Sequence, residues 1–148
     1  MPPLLHAAGD YFVTSTGQTV YLAGSHTWNQ AQQIGPAAFT FGEFVNCEKS
    51  IGSNFIRYWN FTSSEDGAGP TPDSQLPFMR SSTPGANDGG NKWDLTKFNQ
   101  VFFDNMRSNA IAAGHQGMYV SIMLFFAETN YPVNWNSDAF NGANNING

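Results

Sequence analysis

The side chains in this sequence that are best suited to chemistry follow runs of apolar residues. They comprise an imidazole, two indoles, an amide, a guanidinium and a carboxylate, from His26, Trp28, Trp59, Asn29, Arg57 and Glu128. Indole faces stack on flat apolar surfaces, while the polar groups exchange hydrogen bonds with hydroxyls. Together these groups indicate a site for a polar, hydroxyl-rich ligand such as a sugar.

Three apolar runs are expected to bring these side chains to one end of a sheet. The runs begin at Val20, Asn54 and Met118, and each continues without the polar alternation of a half-exposed strand. Strands that are buried on both faces have this pattern. In α/β barrels the residues just past the carboxyl ends of such strands line the mouth of the site.

The first helix is predicted by its end signals. Thr40 and Glu43 have the spacing of a capping box, Phe39 and Phe44 have the spacing of a hydrophobic staple, and Gly52 is placed as a C-terminal stop. The expected buried face consists of Phe41, Phe44, Val45 and Ile51. The single cysteine, Cys47, falls inside this helix, and we expect it to be buried as a small hydrophobic residue.

A second helix is predicted from Asn99 to Gly114, with apolar residues at helical spacing on one side: Phe102, Met106, Ala110 and Ala113. The order strand, helix, strand, helix, strand then makes two right-handed βαβ crossovers, so the strands pair in parallel. The predicted fold class is therefore α/β.

Three further segments lie before, within and after this α/β pattern. Residues 11–13 and 19–22, with Gly17 in the turn, read as a β-hairpin that precedes the first long strand and could plug the bottom of a barrel. The segment from Phe61 to Lys92 is rich in Gly, Pro, Ser and Asp, and we expect a functional loop on the mouth side. The tail at 134–148 shows neither strand nor helix periodicity.

Composition excludes several classes of function. The chain has 148 residues, 41% of them hydrophobic, and its six Lys and Arg are unclustered within a net charge of −5, so we expect no nucleic-acid partner. No apolar run is long enough for a membrane span. His6, His26 and His115 lack metal-ligand spacing, and neither a serine nucleophile elbow nor a phosphate loop is present, so we expect no metal and no cofactor.

Three segments carry a family resemblance: 20–29 (VYLAGSHTWN), 54–59 (NFIRYW) and 140–148 (FNGANNING). In order and spacing they resemble the start of cellulase-like glycoside hydrolases, of family 5 and the apiosidase-like barrels of the same broad clan. The resemblance runs from about Tyr11 onward. It implies that residues 1–148 form a partial catalytic domain, the first three or so βα units of a (β/α)8 TIM barrel, which needs on the order of 250 residues.

The resemblance also implies roles for residues. The catalytic pair of such enzymes, an acid/base after the fourth strand and a nucleophile after the seventh, would lie beyond Gly148. Arg57 matches an arginine that helps to hold the nucleophile, with a structural arginine at a strand end as the alternative. The expected substrate contacts are His26, Trp28, Asn29, Trp59 and Glu128, although for both Trp28 and Trp59 a packed rim aromatic is the alternative.

One departure from the family pattern concerns the tail. Relatives commonly carry His-Pro before the matching Phe, whereas this chain has Asp138 and Ala139. Read without the family, Glu128 with Glu65 or Asp66 would be a carboxylate pair of the chain's own. Carboxylates at a mouth are more often solvated loop residues than catalysts.

The sequence therefore predicts a glycoside hydrolase that acts on O-glycosyl bonds of a carbohydrate, present here as a piece without its catalytic pair and inactive alone. The alternative is a non-catalytic carbohydrate-binding module, which the two capped helices disfavour. A barrel enzyme of unrelated chemistry is a third hypothesis. The compartment stays open between the cytoplasm and secretion by a leader outside this sequence.

Overall fold

The fold alternates strands and helices around a small parallel sheet. The computed structural model describes residues 1–27, 40–66, 69–125 and 132–148. The strands are β1 (Leu5–Ala8), β2 (Tyr11–Thr14), β3 (Thr19–Val20), β4 (Gly24–Ser25), β5 (Phe55–Tyr58), β6 (Glu65–Asp66), β7 (Gly69–Pro70), β8 (Phe78–Pro84), β9 (Asn91–Phe98) and β10 (Tyr119–Ile122). The helices are α1 (Phe41–Ser50), α2 (Gln100–His115) and α3 (Pro132–Ser137), with a 3-10 turn at Asp73–Gln75.

The central sheet has the order β10, β5, β4, and both of its pairings are parallel. Helix α1 lies between β4 and β5 in the chain, and α2 lies between β5 and β10. Each helix returns the chain to the same end of the sheet, as a βαβ crossover requires. The predicted mixed α/β architecture with parallel pairing is therefore confirmed for these elements.

One face of the sheet packs against the two helices. Ile56 and Tyr58 of β5 are buried there in a cluster with Phe41, Phe44, Val45, Phe102 and Met106. The ring of Tyr58 meets Phe41 edge to face with centroids 5.2 Å apart. Its hydroxyl accepts a hydrogen bond of 3.0 Å from Nδ2 of Asn109 on α2, so its polar end is satisfied inside the core.

Helix α1 has the predicted capping box. Oγ1 of Thr40 accepts from the backbone N–H of Glu43, and the Glu43 carboxylate accepts from the backbone N–H of Thr40 at 2.7 Å. That backbone hydrogen bond, followed by one from the Thr40 hydroxyl, lowers the pKa of Glu43 below its ordinary value. Gly52 follows the helix with a φ of +86°, which suits a glycine stop.

Two predictions about α1 are wrong. Ile51 is 70% exposed, because the helix ends at Ser50 and Ile51 is its C-cap, where the helical periodicity no longer applies. Cys47 is exposed as well, since it lies outside the buried stripe of Phe41, Phe44, Val45 and Glu48. The staple residue Phe39 lies outside the described residues.

Helix α2 begins and ends within one residue of its prediction, with Asn99 as its N-cap. Phe102, Met106 and Ala113 are buried as expected, and Ala110 is half-buried. Gly117, with a φ of +88°, turns the chain toward β10. Among the helices of the described ranges, none is long and apolar enough to cross a membrane.

The predicted hairpin is present as β2 and β3, to which β1 adds a third antiparallel strand that was not predicted. The apolar run from Val20, however, is not one strand. Its first residue, Val20, belongs to β3, whereas Gly24 and Ser25 form β4 in the central sheet. Between the two sheets Tyr21 is 85% exposed, because the chain leaves one ladder before it joins the other.

The segment predicted as a loop between Phe61 and Lys92 is largely folded. It holds β6, β7 and β8, and β8 pairs with β9 in an antiparallel hairpin with irregular register. A second core of Leu76, Phe78, Trp93 and Ala139 joins this hairpin to the tail. The first residues of the tail belong to α3, which ends at Ser137, although the sequence of 134–148 shows no helical periodicity.

Candidate functional site

Three of the predicted site residues meet at the carboxyl end of the parallel sheet. The imidazole of His26 stacks on the indole of Trp59, with ring centroids 4.7 Å apart and 22° between the ring planes. Cζ of Arg57 lies 5.5 Å from the centre of the same indole. We call His26, Arg57 and Trp59 the mouth cluster.

The alternation of β5 explains which side chains reach this cluster. Ile56 and Tyr58 point to the helices and are buried, so Arg57 and the following Trp59 point to the opposite face. In register with Arg57 on β10 is Ser121. His26 directly follows β4, the other neighbour of β5.

Trp59 is the support of the mouth cluster rather than its exposed face. It is 9% exposed and packs with Phe61 and Met123, while His26 covers one side of its ring. His26 and Arg57 are themselves exposed. The arrangement therefore offers solvent an imidazole and a guanidinium held against an aromatic base, where the guanidinium gains a cation–π contact.

The chemistry of the mouth cluster follows from its groups. An exposed imidazole both donates and accepts hydrogen bonds, which suits a hydroxyl. A guanidinium stays charged and binds a carboxylate through its planar set of donors. The cluster can thus hold a hydroxyl-rich ligand next to a fixed positive charge.

The remaining predicted contacts are Trp28, Asn29 and Glu128, and all three lie outside the described residues. Glu65 of β6 is exposed, and its backbone is fixed by α3: its N–H donates to Oγ of Ser137, which in turn donates to its carbonyl. Within the described ranges no group of three or more His, Cys, Asp or Glu side chains could hold a metal ion.

Asp138, where the sequence departs from the family pattern, is a buried carboxyl group. Its Oδ1 accepts from the backbone N–H of Phe140 at 2.7 Å, and its Oδ2 accepts from the Thr62 hydroxyl. Burial raises the pKa of Asp138, and these two hydrogen bonds offset the rise in part. Asp138 is 1% exposed, so it fastens the tail to the segment after β5 and is closed to a ligand.

Asn144 and Asn145 of the tail are also buried structural residues. Nδ2 of Asn144 donates to the carbonyls of Asn136 and Asp138, and its Oδ1 accepts from the N–H of Asn87. Oδ1 of Asn145 accepts from the backbone N–H groups of the last two residues. The partners of Asn145 are local, whereas Asn144 also receives a hydrogen bond from Asn87, a residue distant in the chain that no local sequence pattern indicates.

A second charged cluster lies on the β8–β9 hairpin. The Arg80 guanidinium forms ion pairs with Asp73 at 3.1 Å and Asp88 at 2.5 Å. Burial alone would raise the pKa of Asp88, but hydrogen bonds from Arg80, the Ser64 hydroxyl and the Gly90 N–H outweigh it and lower the pKa to about 2. No local sequence pattern indicates this cluster, because its members lie in the 3-10 turn, on β8 and in the turn between β8 and β9.

Comparison with known proteins identifies a shared fold. No family model matches the chain, and no curated protein matches it. Among solved structures, a protein of Bacteroides vulgatus ATCC 8482 that is provisionally named a glycoside hydrolase matches 83% of this chain with a TM-score of 0.61 and 19% identity. A glycoside hydrolase family 5 protein of the same organism matches 80% of it with a TM-score of 0.48 and 18% identity.

The chain spans 24% of the length of each of these two structures. At 19% identity the first match establishes the fold and leaves the chemistry to the site. The described residues thus share the fold of part of the first, larger structure.

Proposed function

We propose that this chain supplies the first three βα units of a (β/α)8 glycoside hydrolase that cleaves O-glycosyl bonds of a carbohydrate. The observation that carries the proposal is the mouth cluster, in which His26 and Arg57 are held against Trp59 at the carboxyl end of parallel strands. Active sites of such barrels are built at that end. The shared fold with part of a glycoside hydrolase-like structure supports the same reading.

The groups of the mouth cluster suit the chemistry of a retaining glycosidase. Such an enzyme needs one ionised carboxylate as nucleophile and one protonated carboxyl group as acid, about 5 Å apart. In this proposal Arg57 keeps the nucleophile ionised, because an adjacent positive charge favours the carboxylate. His26 exchanges hydrogen bonds with a sugar hydroxyl, and Trp59 holds both side chains in place.

The catalytic carboxylates would come from strands beyond β10. Within the described residues, β4 and β10 are each paired along one edge only. Beside β10 a largely apolar groove of about 490 Å³ is lined by Met1, Phe103, Met106, Ala110, Ile111 and Ile122, together with Arg107. Both isoleucines are more than a third exposed. A further strand would pair with the open edge of β10, and a helix would cover this groove, as in the next βα unit of a barrel. We therefore expect the 148 residues alone to be inactive.

The test is turnover by the complete gene product that contains these residues. Release of reducing sugar from a panel of polysaccharides identifies the substrate, after which Arg57→Ala is expected to lower kcat by about 100-fold, the loss typical of a group that stabilises reacting charge. His26→Ala is expected to raise KM instead, because it removes a contact made in the ground state as well.

Lys97→Ala is the matched control, since it also removes a positive charge but from a side chain that is 69% exposed on β9. It should leave kcat and KM at their original values. An unchanged kcat in Arg57→Ala removes the role proposed for Arg57. Binding of the polysaccharide without any release of sugar would instead favour a carbohydrate-binding module.

A further inference from the structure

A buried acid on α1 contacts β4, the strand that directly precedes His26. Glu48 is 5% exposed, and its Oε1 accepts a hydrogen bond of 2.5 Å from Oγ of Ser25. Its Oε2 is buried with no hydrogen-bond partner among the described residues. Burial of a carboxylate oxygen without a partner costs free energy. The position of Glu48 adds to this cost, because it lies in the last turn of α1, at the negative end of the helix dipole. The hydrogen bond from Ser25 is the contact that accounts for an acid at this position.

The contact fixes the end of a very short strand. β4 consists of Gly24 and Ser25 alone, and its only ladder among the described residues is with β5. Before it, the side chain of Asn54 holds the chain by accepting from the N–H of Ala23 and donating to the carbonyl of Tyr21. After it comes His26, so the bond between Ser25 and Glu48 is the last side-chain restraint before the imidazole.

Side-chain alternation connects this restraint to the mouth cluster. Ser25 is the register partner of Ile56, whose side chain faces the helices, and Ser25 accordingly reaches Glu48 on α1. The next residue, His26, therefore points to the opposite face, where it stacks on Trp59. A shift of Ser25 relative to α1 would move the imidazole relative to the indole.

We infer that Glu48 is a positioning residue, which acts through Ser25 to hold His26 stacked on Trp59. Only the benefit of this stack to sugar binding rests on the proposed function. The positioning itself is a property of the contacts, and it can be measured without any sugar. A failure of the glycosidase proposal and a failure of this inference therefore give different results.

The experiment is NMR of the complete chain with isotope-labelled histidine rings. The ring current of Trp59 moves the His26 ring protons upfield, and His26→Gln assigns their signal by removing it from the spectrum. In Ser25→Ala and in Glu48→Ala we expect the His26 signal to move downfield, toward its value in the urea-unfolded chain. Glu48→Gln keeps an oxygen that accepts from Ser25, so it should retain the original signal.

The matched control is Ser50→Ala, which removes a hydroxyl on the same helix that donates to the carbonyl of Cys47. It should leave the His26 signal in place. Ser25→Ala decides the test even where loss of the Glu48 side chain prevents folding, because Ser25 is exposed and its truncation leaves both cores intact. A folded Ser25→Ala chain with an unmoved His26 signal would overturn the inference, as would loss of the stack in Glu48→Gln.

Discussion

The guanidinium of Arg80 lies 3.6 Å from the ring centre of Trp93, an indole with no exposed surface. The same guanidinium is paired with Asp73 and Asp88, and its Nη1 also donates to the carbonyl of Asn91. Arg80 thus ties both strands of the hairpin and the preceding 3-10 turn to one aromatic base. This arrangement is the structural centre of the segment that the sequence indicated as a loop.

Replacing Arg80 by methionine should destabilise the protein strongly. The substitution keeps much of the apolar side chain but leaves Asp88, whose side chain is 8% exposed, without its cation. Breaking a buried ion pair from one side costs about 3 kcal/mol or more. Urea unfolding at pH 7 measures this loss. Lys97→Met is the control: it breaks the pair with Asp94 from a side chain that is 69% exposed, and it should cost under about 1 kcal/mol.

Stability should fall in acid because of Asp88. Its pKa is about 2 in the folded protein, compared with an ordinary value of 3.8. Between these values the unfolded chain binds more protons than the folded one, so the free energy of unfolding decreases as the pH falls from about 4 to about 2. Unfolding curves across this range should show the decrease in the original protein and a smaller one in Arg80→Met. Equal slopes in the two proteins would refute the assigned pairing.

Asp138 should have the opposite dependence on pH. Its folded pKa is raised, so the folded state keeps the proton to a higher pH than the unfolded state does. The contribution of Asp138 to stability is then full below the ordinary pKa of 3.8 and is lost as the pH rises through the folded pKa. Asp138→Asn has no proton to lose, so its stability relative to the original protein should increase with pH across this window.

Thermal unfolding of both proteins between about pH 3 and pH 7 measures this difference. Asparagine can still accept from Phe140 and can donate to the Thr62 hydroxyl, so the variant should fold. Asp104→Asn on the exposed side of α2 is the control, and its pH profile should follow the original. A stability difference for Asp138→Asn that does not vary with pH would show that the buried carboxyl is not the cause.

Truncating Asn144 should weaken the attachment of the tail. Alanine at this position leaves the N–H of Asn87 without this partner and removes one of the two hydrogen bonds that the carbonyls of Asn136 and Asp138 each accept. An intramolecular hydrogen bond contributes about 1 kcal/mol, so we expect the loss of these three bonds to cost about 3 kcal/mol in chemical unfolding.

Asn147→Ala provides the comparison for the tail. Its exposed side chain accepts one hydrogen bond from the N–H of Leu95, and its removal should cost about 1 kcal/mol. Equal losses of unfolding free energy in the two variants would mean that the buried amide of Asn144 contributes no more to stability than the exposed amide of Asn147.

The parts of the fold that the sequence predicts well are those with local signals. Thr40 and Glu43 are three residues apart, so the capping box is readable from the chain alone, and the parallel sheet follows from the order of strands and helices. Ile51 shows the limit, because periodicity extends past the residue where a helix ends. The hairpin that contains Arg80 and Trp93 could not be predicted, since Trp93 packs with Ala139 and forms backbone hydrogen bonds with Asn144 and Ile146 of the tail, which are distant in sequence.

The same distinction holds for the candidate site. That His26, Arg57 and Trp59 come together follows from the rule that parallel strands end at one edge, and the structure has this arrangement. The burial of Trp59 does not follow from it, because that depends on Phe61 and Met123 as well as on the stacked imidazole. The roles of these residues in binding stay predictions until turnover is measured.

The backbone of Trp93 joins two connections that are separate in the chain: the one after β5 and the tail after β10. Its N–H donates to the carbonyl of Asn144 at 2.7 Å, and its carbonyl accepts from the N–H of Ile146 at 3.0 Å. The connection after β5 and the tail after β10 are therefore held together through their backbones. A graft of one of them onto another scaffold should include the other, because Trp93 would otherwise lose both hydrogen bonds.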